Sequence, residues 1–400
     1  MLPAPSRFET AAFFCALASA AASSVSIAAS QILLGASLAA LLIGRVEWRA
    51  PRHWPFLAVF ALLSLLSMAF SDAPAAGLPQ VRKFYVWLML VAVCSTFRTL
   101  AHARWLTLAW LAGGTASALL GLWQFASRYQ HAAAAGENFY LAYVGSRITG
   151  FNSHWMTFSG QMMIVLLAGA ALLFFGSPDK RTRRALLLCL PVVALALVLA
   201  FTRGIWIATA AALLYLLWYW KRWTVALLPA AALAAFLLGP ASLRERVTSL
   251  VHPHGQQDSN LHRVYTFRIG LEMIKAHPFL GLGLERVGPN VTRFIPPDLP
   301  PQLPIGYYGH LHNIYIHYAA ERGIPALLAL LLFFIFTLKD WLARLRARPD
   351  APGSWVLRAG VAVVLGVLVT GLFEYNLGDS EVLGMTLAAV AAVASPRADA

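Results

Sequence analysis

Repeated apolar runs, each about as long as a bilayer is thick, limit what this chain can fold into. A membrane-spanning helix needs roughly 20 mostly apolar residues. In lipid the backbone must satisfy its own hydrogen bonds, so such runs are read as helices. Twelve runs are read, at 9–29, 31–44, 55–71, 81–97, 105–124, 157–176, 185–201, 204–220, 223–239, 312–337, 355–375 and 380–395. The second is short and follows the first almost directly, so these two are expected to form a tight hairpin. Charged residues make up 12% of the chain, against roughly 25% in a soluble domain. The expected fold is all-α: a polytopic membrane protein with about 12 transmembrane helices. Its organisation reads as 1–239 (helices one to nine), 240–311 (a large helical outer loop with amphipathic helices) and 312–400 (helices ten to twelve).

The net charge of +14 is read as topology, because Lys and Arg accumulate in cytoplasmic loops. One set of short loops carries Arg45, Arg49 and Arg52, then Arg98 and Arg104, then Lys180, Arg181, Arg183 and Arg184, then Lys221 and Arg222, then Lys339, Arg344, Arg346 and Arg348. The short loops on the other side, 72–80, 202–203 and 376–379, hold only Arg203. Both termini are therefore expected in the cytoplasm, with 125–156 and 240–311 outside. The first apolar run is followed at once by a second, so it is expected to be a retained span, not a cleaved signal. No basic run stands outside this pattern, so nucleic acid is not an expected partner. Cys15, Cys94 and Cys189 sit in apolar stretches and read as small buried hydrophobes.

The outer loop has helical content of its own. Within 260–276, Val264, Phe267, Leu271 and Ile274 recur at helical spacing, which predicts an amphipathic helix at the membrane surface. It should end at His277-Pro278, and a Gly281-Leu282-Gly283 turn and a Pro-rich stretch (Pro289, Pro296, Pro297, Pro300, Pro301, Pro304) follow. The loop closes on His310, His312 and Asn313 at the mouth of the tenth span. Ionisable groups at membrane depth are rare and usually functional, and a neutral imidazole takes a proton from a hydroxyl near physiological pH. His312 is the expected base, because Asn313 and the following helix fix it; His310 is the second candidate. His317 reads as a buried core histidine, with Glu321 one turn beyond.

The outer side also holds more arginine than the charge rule predicts: Arg82, Arg147, Arg203, Arg263 and Arg268. Each suits a snorkelling interfacial anchor. Together they also suit a shared anionic ligand, because the guanidinium fork matches phosphate. Arg203 further stands at a helix start, where open backbone N–H groups favour an anion.

Three pieces, in order, resemble the O-antigen ligase and polymerase superfamily of bacterial envelope glycosyltransferases. They are Thr202-Arg203-Gly204 at a span start; Arg263 fourteen residues before His277-Pro278-Phe279-Leu280-Gly281-Leu282-Gly283; and His312-Asn313 followed by Glu321-Arg322-Gly323. Ile316 stands where the family pattern has Leu. The resemblance covers roughly 200–325 by motif and the whole chain by hydropathy. It implies glycan transfer from undecaprenyl pyrophosphate on the periplasmic face of the bacterial inner membrane, to a sugar hydroxyl of the lipid A core, within lipopolysaccharide biosynthesis. It implies no metal and no cofactor. Arg203 and Arg263 match the family's pyrophosphate-holding arginines and His312 its base; Arg82, Arg147, Arg268 and His310 are added here from charge and side alone. No Asp-x-Asp, Walker, Gly-x-Ser-x-Gly or His-Glu-x-x-His motif occurs.

Two other readings share the pattern. One is a polymerase or a protein O-oligosaccharyltransferase of the same superfamily, because acceptor choice lies in the loop surface. The other is a lipid-linked glycan transporter, which needs charges along a path through the bundle; few lie within the spans here.

The topology is testable directly. In a variant without native cysteines, a cysteine placed at Gln256 is expected to react with a thiol reagent that cannot cross the inner membrane. Reaction only after lysis would invert the orientation.

Overall fold

The computed structural model describes residues 6–249, 259–303 and 305–394. Gln256 and Pro304 lie outside the described residues. Among those described the chain is all-helical, without strands. The helices are α1 (Arg7–Ala22), α2 (Ile27–Ile43), α3 (Trp54–Ala69), α4 (Leu78–Trp87), α5 (Met89–Thr96), α6 (Leu100–Ala135), α7 (Phe139–Val144), α8 (Trp155–Phe175), α9 (Lys180–Leu199), α10 (Arg203–Trp220), α11 (Leu227–Leu238), α12 (Ala241–Thr248), α13 (Ser259–Ala276), α14 (Val287–Asn290), α15 (Ile314–Arg322), α16 (Ile324–Ala347), α17 (Ser354–Thr370) and α18 (Ser380–Ala394). Short 3-10 turns join several of them.

Four helices, α6, α8, α9 and α16, are long and apolar enough to cross a membrane. A fifth candidate is the 222–238 segment with α12, bent by 119°. Four shorter apolar helices, α2, α3, α17 and α18, accompany them. Each apolar run read from the sequence contains helix, but several are interrupted; the 9–29 run takes in the turn between α1 and α2, and the 223–239 run opens as a 3-10 turn before α11. The 81–97 run bends at Leu88 between α4 and α5, and the 312–337 run breaks at Gly323 between α15 and α16.

The bundle is built around α8, α17 and α18. Every residue of α8 from Thr157 to Leu172 is buried, as are Ser354–Val364 of α17 and Val382–Val393 of α18. These three helices read as apolar on all sides, as a helix enclosed by others must. α1 and α2 form the expected hairpin and pack beside α5 and α6. No residue of α11 is buried, and Leu233, Leu237 and Leu238 are exposed on it.

The described residues 259–303 and 305–311 build a second, smaller core against α15. Ile269 and Met273 of α13 pack with Val287, Val291, Tyr307, Leu311 and Ala320 into this core. Val264 and Phe267, which belong to the predicted amphipathic stripe, face outward at 54% and 42% exposure. Ile274 instead packs against the small core. The helix therefore has two apolar faces, one on its own core and one open.

The break at Gly323 anchors this segment. Stopping α15 there frees its last carbonyls. Leu282 N–H donates to Ala320 O at 2.8 Å, and Gly283 N–H to Glu321 O at 2.9 Å. Ser67 Oγ donates to the same Glu321 carbonyl at 2.8 Å. The Glu321 carboxylate accepts from Glu285 N at 2.9 Å and from Arg322 Nε at 2.9 Å. His317 Nε2 approaches it at 3.7 Å, while His317 Nδ1 accepts from Leu311 N at 3.4 Å. His317 is thus the buried core histidine that the sequence suggests. Gly323 has φ +84°, and a Cβ there would lie 2.0 Å from Phe279 O.

Removing one member of a buried ion pair strands the other. Glu321→Ala leaves Arg322, 3% exposed, without its carboxylate and is expected to cost about 3–5 kcal/mol. Gly323→Ala should cost about 1–3 kcal/mol or more through backbone strain. Unfolding in detergent measures both, and unchanged stability in the two variants would refute the anchor.

Candidate functional site

Arg263, Glu374 and His312 meet where α13 crosses the end of α17. Glu374 follows α17, and its side chain is 2% exposed. Arg263 Nη2 donates to Glu374 Oε1 at 2.5 Å, and Arg263 Nε to Phe373 O at 3.1 Å. The other carboxylate oxygen lies 3.4 Å from His312 Nδ1. A carboxylate at Nδ1 fixes the ring's orientation and tautomer, with Nδ1 protonated and Nε2 left as the proton acceptor.

His312 is held from its backbone as well. Its φ is +48°, a conformation non-glycine residues adopt at a cost, and one that clusters at functional sites. Asn313 next to it caps α15: its Oδ1 accepts from Tyr315 N at 2.9 Å and from Ile316 N at 3.0 Å. The Asn313 amide donates to Leu372 O at 3.0 Å. Ile314 N donates to Gly371 O at 2.8 Å. The loop that carries His312 is therefore bolted to the segment that carries Glu374.

Arg203 opens α10 and is 7% exposed. It donates to Ser249 Oγ at 3.0 Å and to Asn260 Oδ1 at 2.8 Å. Arg203, Asn260, Arg263, Arg268 and His312 line one cleft of about 380 Å³. Ile207, Val264, Phe267 and Leu372 form its apolar walls. The cleft joins a cationic floor, suited to phosphate, to a greasy side.

The other expected residues take different places. Arg268 stands at the cleft wall, and both its Nη atoms donate to Asp298 at 2.8 Å. Arg147 is buried and does not line the cleft; its Nη1 donates to Phe201 O at 3.4 Å and its guanidinium stacks 4.7 Å from the Trp155 ring. Arg82 is exposed on α4 and is not among the residues lining the cleft. The ring of His310 lies 4.1 Å from that of His312. Burial pushes its pKa down to about 3, and the His312 ring adds to the shift.

Four site residues have no counterpart among the candidates read from the sequence. Glu374 is the anchor just described. Asn260 holds Arg203. His262 stacks on Tyr307 at 3.9 Å and meets the His312 ring edge-on at 4.6 Å. Burial, then His312, lower its pKa to about 4. Arg246 of α12 is 2% exposed and donates to Phe201 O at 3.0 Å. Phe201 has φ +53°, and its carbonyl accepts from both Arg246 and Arg147. In the sequence Glu374 shows only as a charge near the end of a late span, and His262 only as the neighbour of Arg263. No group of three or more His, Cys, Asp or Glu able to hold a metal ion occurs among the described residues.

Residues 185–331 match the family model described as O-antigen ligase. The match spans Arg203, Arg263, the 277–283 turn, His312 and Gly323. A comparison with curated proteins gives no match.

The two flanking imidazoles are neutral above about pH 5, so neither gains or loses a proton between about pH 5 and 8. His262→Ala and His310→Ala are expected to leave the midpoint of the acid limb of the pH–activity profile in place. A limb that moves in either variant would show that its imidazole titrates in the working range.

Proposed function

We propose that this member of the O-antigen ligase family transfers a glycan from undecaprenyl pyrophosphate to a sugar hydroxyl of the lipid A core. The observation that carries the reading is one cleft that holds an oriented imidazole, His312 on Glu374, beside the guanidinium groups of Arg203 and Arg263. In the reaction, His312 Nε2 takes the proton of the acceptor hydroxyl. The hydroxyl oxygen bonds to the anomeric carbon as the bond from that carbon to the phosphate oxygen breaks. The electron pair leaves on the pyrophosphate. Its charge develops mainly in the transition state, where fixed cationic donors stabilise most. Glu374 stabilises the imidazolium that forms.

The apolar walls suit the polyprenyl end of the donor. In this reading the cleft faces the periplasm from the inner membrane and both termini are cytoplasmic, which the loop charge pattern supports. The arginines take the part that a divalent metal plays for other pyrophosphate leaving groups, and the mechanism needs no cofactor. A polymerase or a protein-directed transferase would use the same chemistry on a different acceptor.

Arg203→Ala is expected to remove transfer from a folded, membrane-inserted protein, at a cost of about 2–4 kcal/mol in transition-state stabilisation. Arg203→Lys should rescue poorly, because Lys lacks the planar fork. In cells, lipopolysaccharide of the Ala variant should run as bare core while carrier-linked glycan accumulates. Core bearing a single repeat unit would mark a polymerase instead, and a wild-type pattern would return Arg203 to the role of an anchor.

A further inference from the structure

Glu374 is a wall between two cavities. Its partners Arg263 and His312 line the large cleft, while Glu374 itself lines a second cavity of about 140 Å³ with His154, His310, Tyr375 and Asp379. The two spaces have opposite chemistry. Three arginines line the cleft. No Lys or Arg lines the smaller cavity, which has two carboxylates. A pyrophosphate is drawn to the first and repelled by the second. A neutral polyol suits the second, because hydroxyl groups both donate to carboxylates and accept from N–H.

The polar groups of the small cavity are set for such a ligand. Asp379 Oδ2 accepts from Thr157 Oγ1 at 2.8 Å; its Oδ1 has no hydrogen bond among the described residues. His154 Nδ1 accepts from Met156 N at 3.2 Å, and His310 Nδ1 accepts from His312 N at 3.4 Å. Each bond assigns the ring proton of a neutral imidazole to Nε2. Burial lowers the pKa of both rings, that of His310 to about 3. The cavity thus offers two N–H donors and one carboxylate acceptor, with the Tyr375 ring beside them, in a space the size of about one sugar ring.

We propose that this cavity is the acceptor subsite, which binds the sugar ring whose hydroxyl is glycosylated, with Asp379 and His154 setting acceptor specificity. The assignment rests on the transferase reading above. Donor and acceptor then enter from different sides of the Glu374–His312 pair. A sugar in the cavity reaches His312 past the His310 ring, which lines the cavity and lies 4.1 Å from the His312 ring, and the pyrophosphate stays with the arginines.

The test uses the full-length protein in detergent with the lipid-linked donor and released core oligosaccharide as acceptor. Asp379→Asn keeps an oxygen for Thr157 and loses the charge. It is expected to raise the acceptor KM about tenfold, the size of one charged hydrogen bond, with donor KM and donor binding unchanged. Unchanged donor binding also shows that the variant is folded. If wild type turns over and Asp379→Asn keeps the wild-type acceptor KM, or raises only the donor KM, the subsite is refuted and the transferase reading stands.

Core oligosaccharide binding without donor is measured in parallel through Trp155, whose ring lies 4.2 Å from that of His154, with Trp155→Phe as the control. Binding that weakens in Asp379→Asn, from a wild type that transfers nothing to the core sugar, supports the cavity as a sugar site and sinks the transferase reading. Neither binding nor transfer in wild type overturns both.

Discussion

The buried carboxylate of Glu374 holds the site together. It follows α17, and its side chain is 2% exposed. A carboxylate is stable there only if it is paired. Its two partners come from elements far apart in the chain, Arg263 on α13 and His312 before α15. The need to satisfy one charge therefore ties α13 and the loop before α15 to the end of α17. The same pairing orients the imidazole and places an arginine beside it, so one desolvation constraint gives both structure and chemistry.

α15 has a second buried carboxylate at its other end. Glu321 takes Arg322, His317 and the Glu285 N–H, and the carbonyls of that last turn receive the 282–283 loop. These nine residues are thus pinned at both ends by buried carboxylates, Glu374 hydrogen-bonded to His312 and Glu321 paired with Arg322. The Gly-x-Gly and Glu-Arg-Gly motifs pack against each other and hold the scaffold; they do not line the cleft. Motifs that recur together in a family need not all touch substrate. Here one pair makes the frame on which His312 is carried.

Charge is also sorted by place. The Phe201 carbonyl accepts from both Arg147 and Arg246. Three arginines line the cleft, while Glu374 and Asp379, with no Lys or Arg, line the smaller cavity.

The sequence by itself determined the class of fold, because bilayer thickness acts on runs of residues: each apolar run read from the chain contains helix, including the α1–α2 hairpin and α13. It also marked Arg203, Arg263 and His312, which lie in local motifs, and the structure brings these three to one cleft. It put His317 in the core for the same kind of reason, a polar residue one turn inside an apolar run. Glu374 was visible only as a charge near the end of a late span. What makes it central is a contact with residues 111 and 62 positions away, and no local pattern encodes that. Arg246 and Asn260 were silent for the same cause. The breaks at Leu88 and Gly323 were read through as continuous helix, because hydropathy averages over a window while a break depends on which carbonyls find donors elsewhere. Arg82 and Arg147 looked alike as basic residues on one side. Only the packing decided that one is exposed on α4 and the other buried, since burial is a property of the neighbours and not of the residue.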